Sequence, residues 1–343
     1  MNLTAKDVAR KSGVSTATVS RVVNNDSRIS PETTKRVKKA IEELGYTPNH
    51  FARGLKTSRS FTVGFIAPEF TNDFFMGIAQ SVENRLRKEG FSLIICNSSE
   101  SSGEEASRLR LLLDRGVDGV IVIPAGSAGG HFEAAAERGV PLVLVDRLVE
   151  GFSTDAVLVD NVNGTYQAME IMIKEGNRRI GFIGGDPRLT SARERYDGYC
   201  RALDDYRIPL ESALVRFGDF HAESGYKLMK ELHAAEKRPT CVFVSNYFMH
   251  VGATRFLMEH GKPWTPSIIS FDEMELSFTL AYCRMVVRQP ISAIGAQAAE
   301  FLMSRISGDS EGAPRLARLK TEVITSVQSY NLDFAKDHPG GNK

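Results

Sequence analysis

The chain has 343 residues, enough for two or three domains with a sizeable core, and its 42% hydrophobic and 25% charged residues are ordinary for a soluble protein. No apolar run reaches membrane-spanning length, and the N-terminus reads as polar and helical, unlike a signal peptide, so a cytoplasmic protein is expected. The net charge of +1 hides an asymmetry: residues 1–60 hold twelve Lys/Arg against five Asp/Glu, which leaves the remainder six charges negative and predicts that only the basic part meets a polyanion.

The first stretch with a strong pattern is Leu3 to Asn25, LTAKDVARKSGVSTATVSRVVNN. Thr4 followed by Asp7 has the form of a capping box, and Ala5, Val8 and Ala9 then share one helical face. Gly13 suits the left-handed stop of that helix, and Ser15 can cap a second whose apolar residues are Val19, Val22 and Val23. Two short helices joined by a Gly-containing turn make the helix-turn-helix pattern, with Thr16, Ala17, Ser20 and Arg21 facing outward. A third helix has Ser30 as N-cap, Pro31 at its first position, a face of Val37, Ala40, Ile41 and Leu44, and Gly45 at its end.

The runs KDVARKSGVSTATVSRVVN, SPET and LGYTPNHFARGL resemble, without a gap, the amino-terminal headpiece of the LacI/GalR family of bacterial transcription regulators. The resemblance implies a DNA-binding headpiece over residues 1–46 and a hinge helix and linker over 47–60. In that family the hinge helix lies in the minor groove and a leucine wedges between base steps, a role that falls to Leu55 beside Asn49, Ala52 and Arg53. Gly54 departs from the pattern and weakens that helix by about 1 kcal/mol relative to Ala. Major-groove base edges are assigned to Thr16, Ala17 and Arg21, and backbone contacts to Thr4, Ser15, Thr18, Ser20 and Asn24.

From Phe61 the texture changes to alternating strands and helices. Predicted strands are Val63–Ala67, Leu93–Cys96, Gly119–Pro124, Leu142–Asp146 and Val157–Asp160, then Ile180–Gly184, Ala213–Phe217, Cys241–Ser245, Ile268–Asp272 and Met285–Arg288. Helices are predicted over Phe75–Glu89, Ala106–Arg115, Gly164–Lys174, Arg193–Asp205, Ser224–Glu236 and Gly252–His260. Near-continuous apolar strands alternating with helices argue for an α/β class with parallel sheets covered on both faces, in two similar lobes. The resemblance adds a periplasmic-binding-protein-like body, residues 61–332, whose chain crosses between lobes three times. Lobe one takes 61–161 and 292–322, lobe two takes 162–291 and 323–332, and 333–343 is a loose tail without leucine heptads.

Enzyme signals are poor: there is no G-x-G-x-x-G, Walker loop, G-x-S-x-G or H-E-x-x-H, and the seven His residues stand singly. PAGSAGG at 124–130 and IGGD at 183–186 match no phosphate-binding spacing. Cys96, Cys200, Cys241 and Cys283 are dispersed, which argues for free thiols and against a disulfide framework or a metal site; no cofactor is expected.

Binding signals are better. Ligands of open α/β sheets sit beyond the carboxyl ends of strands. Polar residues there are Asn72 and Asp73, Asp146 and Arg147, Asp160 and Asn161, Asn246 and Asp272, joined by Arg195. Carboxylates and amides pair with vicinal hydroxyls, an Arg fork fixes two oxygens, and Phe74, Phe75 and Phe220 can pack on a ring. The plain alternative is that strand-end Asp and Asn cap helices, above all Asp160 and Asn161. By resemblance, Asp146, Arg195, Asn246 and Asp272 fall where sugar-responsive members contact hydroxyls, and Phe220 where an aromatic stacks on the effector. Asn72-Asp73-Phe74-Phe75 departs from N-P-F-F, Asn246-Tyr247 from N-D, and Ala281–Met285 lacks the P-x-L-T-T run. Leu189 stands where purine-responsive relatives place an arginine.

The expected protein is a homodimeric regulator, a repressor of sugar-uptake or catabolic genes, binding near-palindromic double-stranded operator DNA under control of a sugar or sugar derivative. The alternative within the family is a purine- or nucleoside-responsive regulator of the corepressor type. An alternative from another class is a cytoplasmic sugar-binding or sugar-processing protein, which would need no basic headpiece.

Overall fold

The computed structural model describes residues 3–23, 26, 28–46, 59–274, 277–309 and 312–325. These divide into two compact units, one on each side of the Ser60–Phe61 bond. In the first, α1 (Ala5–Ser12), α2 (Thr16–Val23) and α3 (Pro31–Leu44) surround a small core of Val8, Ala9, Val19, Val22, Val37 and Ala40. The ends form as their residues dictate. Thr4 and Asp7 close a capping box, and Gly13 and Gly45 end their helices at φ 66° and 60°, a conformation that favours glycine. Ser15 accepts from the Thr18 amide (3.1 Å) and Ser30 from that of Thr33 (3.3 Å).

The second unit is built on two six-stranded sheets. The first runs in the order β11 (Leu316–Leu319), β5 (Asp155–Val159), β4 (Leu142–Val145), β3 (Gly119–Val122), β1 (Thr62–Ala67), β2 (Ser92–Asn97), all parallel. The second runs β12 (Glu322–Thr325), β10 (Cys283–Arg288), β9 (Ser267–Phe271), β8 (Cys241–Val244), β6 (Ile180–Gly184), β7 (Val215–Phe217), parallel except for the antiparallel β10–β12 pair. Each sheet has a buried apolar cluster on both faces, so central strands such as β4 (LVLV) and β8 (CVFV) are apolar along their whole length. The covering helices are α4 (Asp73–Lys88), α5 (Ser102–Asp114), α6 (Glu133–Glu137) and α11 (Ile291–Ile306) on the first sheet. On the second they are α7 (Asn161–Lys174), α8 (Thr190–Asp205), α9 (Ala222–His233) and α10 (Tyr247–His260). The chain leaves the first sheet after β5, returns to it through α11 and β11, and ends its described part in the second with β12.

Six helices begin two to five residues before the apolar pattern does. Their first turns carry no apolar periodicity of their own, and side-chain caps start several of them. Asn72, Ser101, Asp160 and Asn246 accept from the amides of Phe74, Glu104, Asn163 and Met249 at 3.0–3.3 Å. The stretch predicted as a strand from Ala213 opens instead as a 3-10 turn, Ser212–Leu214, before β7. Among the described residues no helix is long and apolar enough to cross a membrane.

Candidate functional site

On the headpiece, Thr16, Ala17, Ser20 and Arg21 are exposed along one side of α2, opposite Val19 and Val22, which are buried. Ser15 and Thr18 bond to each other at the start of this helix, and Thr4 is held by Asp7. The exposed face is small, hydroxylic and cationic, the composition that allows a helix to lie close to base edges. Asn24, Asn49, Ala52, Arg53 and Leu55 lie outside the described residues.

In the body, Asp146 follows β4, Asp272 follows β9 and Asn246 follows β8, while Arg195 sits in the second turn of α8. These side chains converge on one cavity between the two sheets, and Asn72, Phe74, Phe75, Arg147 and Phe220 complete the predicted part of its lining. Arg195 is 3% exposed. Its Nε donates to Asn161 Oδ1 (2.9 Å), one terminal nitrogen to the Ser245 carbonyl (2.6 Å), and its guanidinium stands 3.8 Å from the Phe271 ring centre. Arg147, equally buried, donates to the Pro124 carbonyl (2.8 Å) and to Glu100 (3.3 Å). Asp272 accepts from Gln289. Among the described residues, Asp146 Oδ1 and Arg147 Nε have no hydrogen-bond partner. A buried polar atom left so is costly unless something fills it.

Burial pushes the Asp146 carboxyl above the ordinary range, against the pull of Arg147 and Arg195. Asp272 is raised by the same cause, against Arg195 and the Gln289 hydrogen bond, with Asp146 adding to the rise. Two desolvated carboxyls flanked by two guanidinium groups are short of donors and suited to a small molecule presenting N–H or O–H groups. Glu100, Asp146, Phe220 and Asp272 all have φ between 52° and 70°, the left-handed region that non-glycine residues occupy at a cost. Such strain gathers where function holds it in place.

Two residues assigned to the cavity from sequence are elsewhere. Asp160 caps α7, accepting from the backbone and side-chain amides of Asn163 (3.2 and 2.7 Å), and Asp73 is the first residue of α4; neither lines the cavity. Strand-end position alone does not separate a cap from a wall. Sequence reasoning missed Glu69, Glu100, Ser191, His221 and Phe248, which line it. The strand-end rule applied to β2 would have found Glu100; the others carry no local signal. Among the described residues no group of His, Cys, Asp and Glu could hold a metal ion.

A family model for bacterial regulatory proteins of the lacI family matches residues 4–49. A second, for periplasmic binding proteins and the sugar binding domain of the LacI family, matches residues 60–329. The chain belongs to the LacI family of bacterial regulatory proteins. It is 33% identical over 311 residues to the HTH-type transcriptional repressor PurR of Pasteurella multocida, covering 90% of this chain and 93% of that one. To PurR of Actinobacillus pleuropneumoniae it is 31% identical, over 96% and 99% of the two chains. Among solved structures, a transcriptional regulator CelR in complex with cellobiose is 31% identical over 94% of this chain and 98% of that one, with a TM-score of 0.71. The lac repressor bound to ONPG shares the fold at a TM-score of 0.81 and 24% identity, over 95% and 99% of the two chains. This LacI-family chain is thus a DNA-binding regulator in which a helix-turn-helix unit is joined to a two-sheet body.

Proposed function

We propose that this regulator is a repressor that binds operator DNA as a dimer and is controlled by a purine-class effector held between its two sheets. The supporting observation is the make-up of the cavity. Phe74, Phe75, Phe220 and Phe248 offer flat apolar surface, and two buried Arg–Asp sets offer forked donors and acceptors. A planar heterocycle presents ring faces to the first and in-plane N–H, N and C=O groups to the second. The relatives named PurR, 30–33% identical over 90% or more of this chain, favour this reading over the sugar expected from sequence. A sugar remains the second reading, because Leu189 replaces the arginine of purine-responsive relatives and the CelR neighbour holds cellobiose.

Residues 1–46 read the DNA in this proposal, 47–60 connect, and 61–332 bind the effector and dimerise. Thr16, Ala17 and Arg21 touch base edges, with Thr4, Ser15, Thr18 and Ser20 on the backbone. Effector in the cavity favours one setting of the two lobes, and a coupling of about 1–3 kcal/mol to DNA affinity is typical of such devices. A thermal-shift screen of purines, nucleosides and sugars on the purified protein, followed by gel shifts on promoter fragments with each hit, tests it. Deleting residues 1–60 should abolish the gel shift and leave the thermal shift intact. A protein that prefers no promoter fragment over bulk DNA at physiological salt, with or without ligand, would refute the reading.

A further inference from the structure

With the Phe220 ring in place, the cavity of Asp146 and Arg195 holds only about 30 Å³, room for roughly two waters. Beside it lies a cavity of about 350 Å³, walled by Ser102, Ser127, Asp186, Leu189 and Asp219, and the two share Glu100, Phe220 and His221. Phe220 lies at the boundary. Its phenyl lies on Gly185 so closely that a methyl there would fall 2.1 Å from the ring. Its carbonyl accepts from Asn246 Nδ2 (2.9 Å), its φ is 68°, and the Arg147 guanidinium stands 5.9 Å from its ring centre.

We infer that the two cavities are one binding site parted by Phe220, and that its ligand is a nucleoside rather than a free base or a nucleotide. The inference rests on the purine reading above. The base takes the inner chamber, among the phenyl rings and the Arg–Asp sets, once the Phe220 ring turns aside. The sugar takes the outer chamber, where Glu100, Asp186 and Asp219 accept from hydroxyls, Ser102 and Ser127 exchange hydrogen bonds with them, and Leu189 packs beneath. A phosphate does not suit that chamber. Three carboxylates face one guanidinium, and that one, Arg188, is already bound to Asp186 through Nε and a terminal nitrogen (2.9 and 2.5 Å). A free base leaves the outer chamber to water.

Isothermal titration of the full-length protein with adenine, adenosine and adenosine 5′-monophosphate, then with the hypoxanthine series, tests this. The nucleoside should bind about tenfold more tightly than its base, as two or three added hydroxyl bonds imply. The monophosphate should bind more weakly than the nucleoside, by a margin that narrows as salt rises. Ala128→Trp, at an exposed position on the outer wall, should bring nucleoside affinity down to that of the base and leave the base unaffected. Equal affinity for base and nucleoside, or nucleoside binding untouched by Ala128→Trp, would overturn the two-chamber ligand while the purine reading stands. Binding of a sugar with no binding of any purine compound would overturn the purine reading, and this inference with it.

Discussion

In the headpiece, Thr16, Ala17, Ser20 and Arg21, all assigned to DNA, stand exposed on α2 while a separate set, Val8, Val19, Val22 and Val37, belongs to the core. In the cleft, Asp146, Arg147 and Arg195 are at most 6% exposed; the two arginines donate to backbone carbonyls, Arg147 is ion-paired with Asp146, and Asp146 Oδ1 and Arg147 Nε have no hydrogen bond among the described residues. Reading and folding are therefore separable tasks in the first region and shared by the same atoms in the second. A headpiece contact can change with little effect on stability. A cleft residue cannot change without leaving a buried charge exposed to its neighbours' field.

Arg195→Ala carries the largest expected effect. It leaves Asp146 and Asp272 buried with one cation fewer and frees the Asn161 and Ser245 acceptors, which should cost about 3–5 kcal/mol in urea unfolding at pH 7, besides abolishing ligand binding. A loss below about 1 kcal/mol would show that the cleft network is not structural, and the contrast with the headpiece would fail. Arg21→Ala tests the other side. Unfolding should move by no more than about 0.5 kcal/mol, while operator affinity falls by about 1–3 kcal/mol and choice relaxes at one base pair. Uniform weakening on all sequences would make Arg21 a phosphate contact instead.

His250, on α10, is fully buried, neither ring nitrogen has a hydrogen-bond partner among the described residues, and burial lowers its pKa to about 3. The unfolded chain takes up a proton there near pH 6.5 and the folded one does not until about pH 3, so between these values the unfolded state binds more protons. Stability from this group is complete well above pH 6.5 and falls as the pH is lowered, by about 1 kcal/mol between pH 6.5 and 5.5. Unfolding curves of the natural protein and His250→Leu should converge or cross as the pH falls. Parallel curves would mean that His250 titrates alike in both states.

The headpiece was legible from sequence because each of its signals is local. Thr4 with Asp7, Gly13, Ser15, Ser30 with Pro31 and Gly45 each act within one turn, and the structure places every one at the helix end it marks. The alternation of strands and helices was legible for the same reason, since apolar runs such as Val120–Val122 and Val242–Val244 leave little choice. What escaped was the wall of the cleft. Asp160 and Asn246 look alike in sequence, each an acceptor at a strand end that caps the next helix, yet only Asn246 reaches the cavity. Glu69, Ser191 and Phe248 reach it through sheet order and the packing of lobe on lobe, which no spacing encodes.

The smallest expected effect lies where the cleft residues connect the two sheets. Glu194, next to Arg195 on α8, accepts from Asn161 Nδ2 (2.9 Å) and from both terminal nitrogens of Arg318 on β11 (3.1 and 2.6 Å). Asn161 in turn accepts from Arg195, so a chain of hydrogen bonds runs from the first sheet's edge strand to the cavity. Arg318 is 38% exposed, and water screens the pair, so its own coupling should be about 0.2–1 kcal/mol in a double-mutant cycle of Glu194→Gln and Arg318→Met. Repeating the cycle on effector affinity separates scaffold from relay. A link that holds Arg195 in its bonding position gives a coupling in ligand binding as large as that in unfolding, whereas a surface pair that merely fastens two elements gives coupling in unfolding alone. The second outcome would place the cleft's sensitivity wholly in the buried Arg–Asp sets and make β11 a bystander to ligand binding.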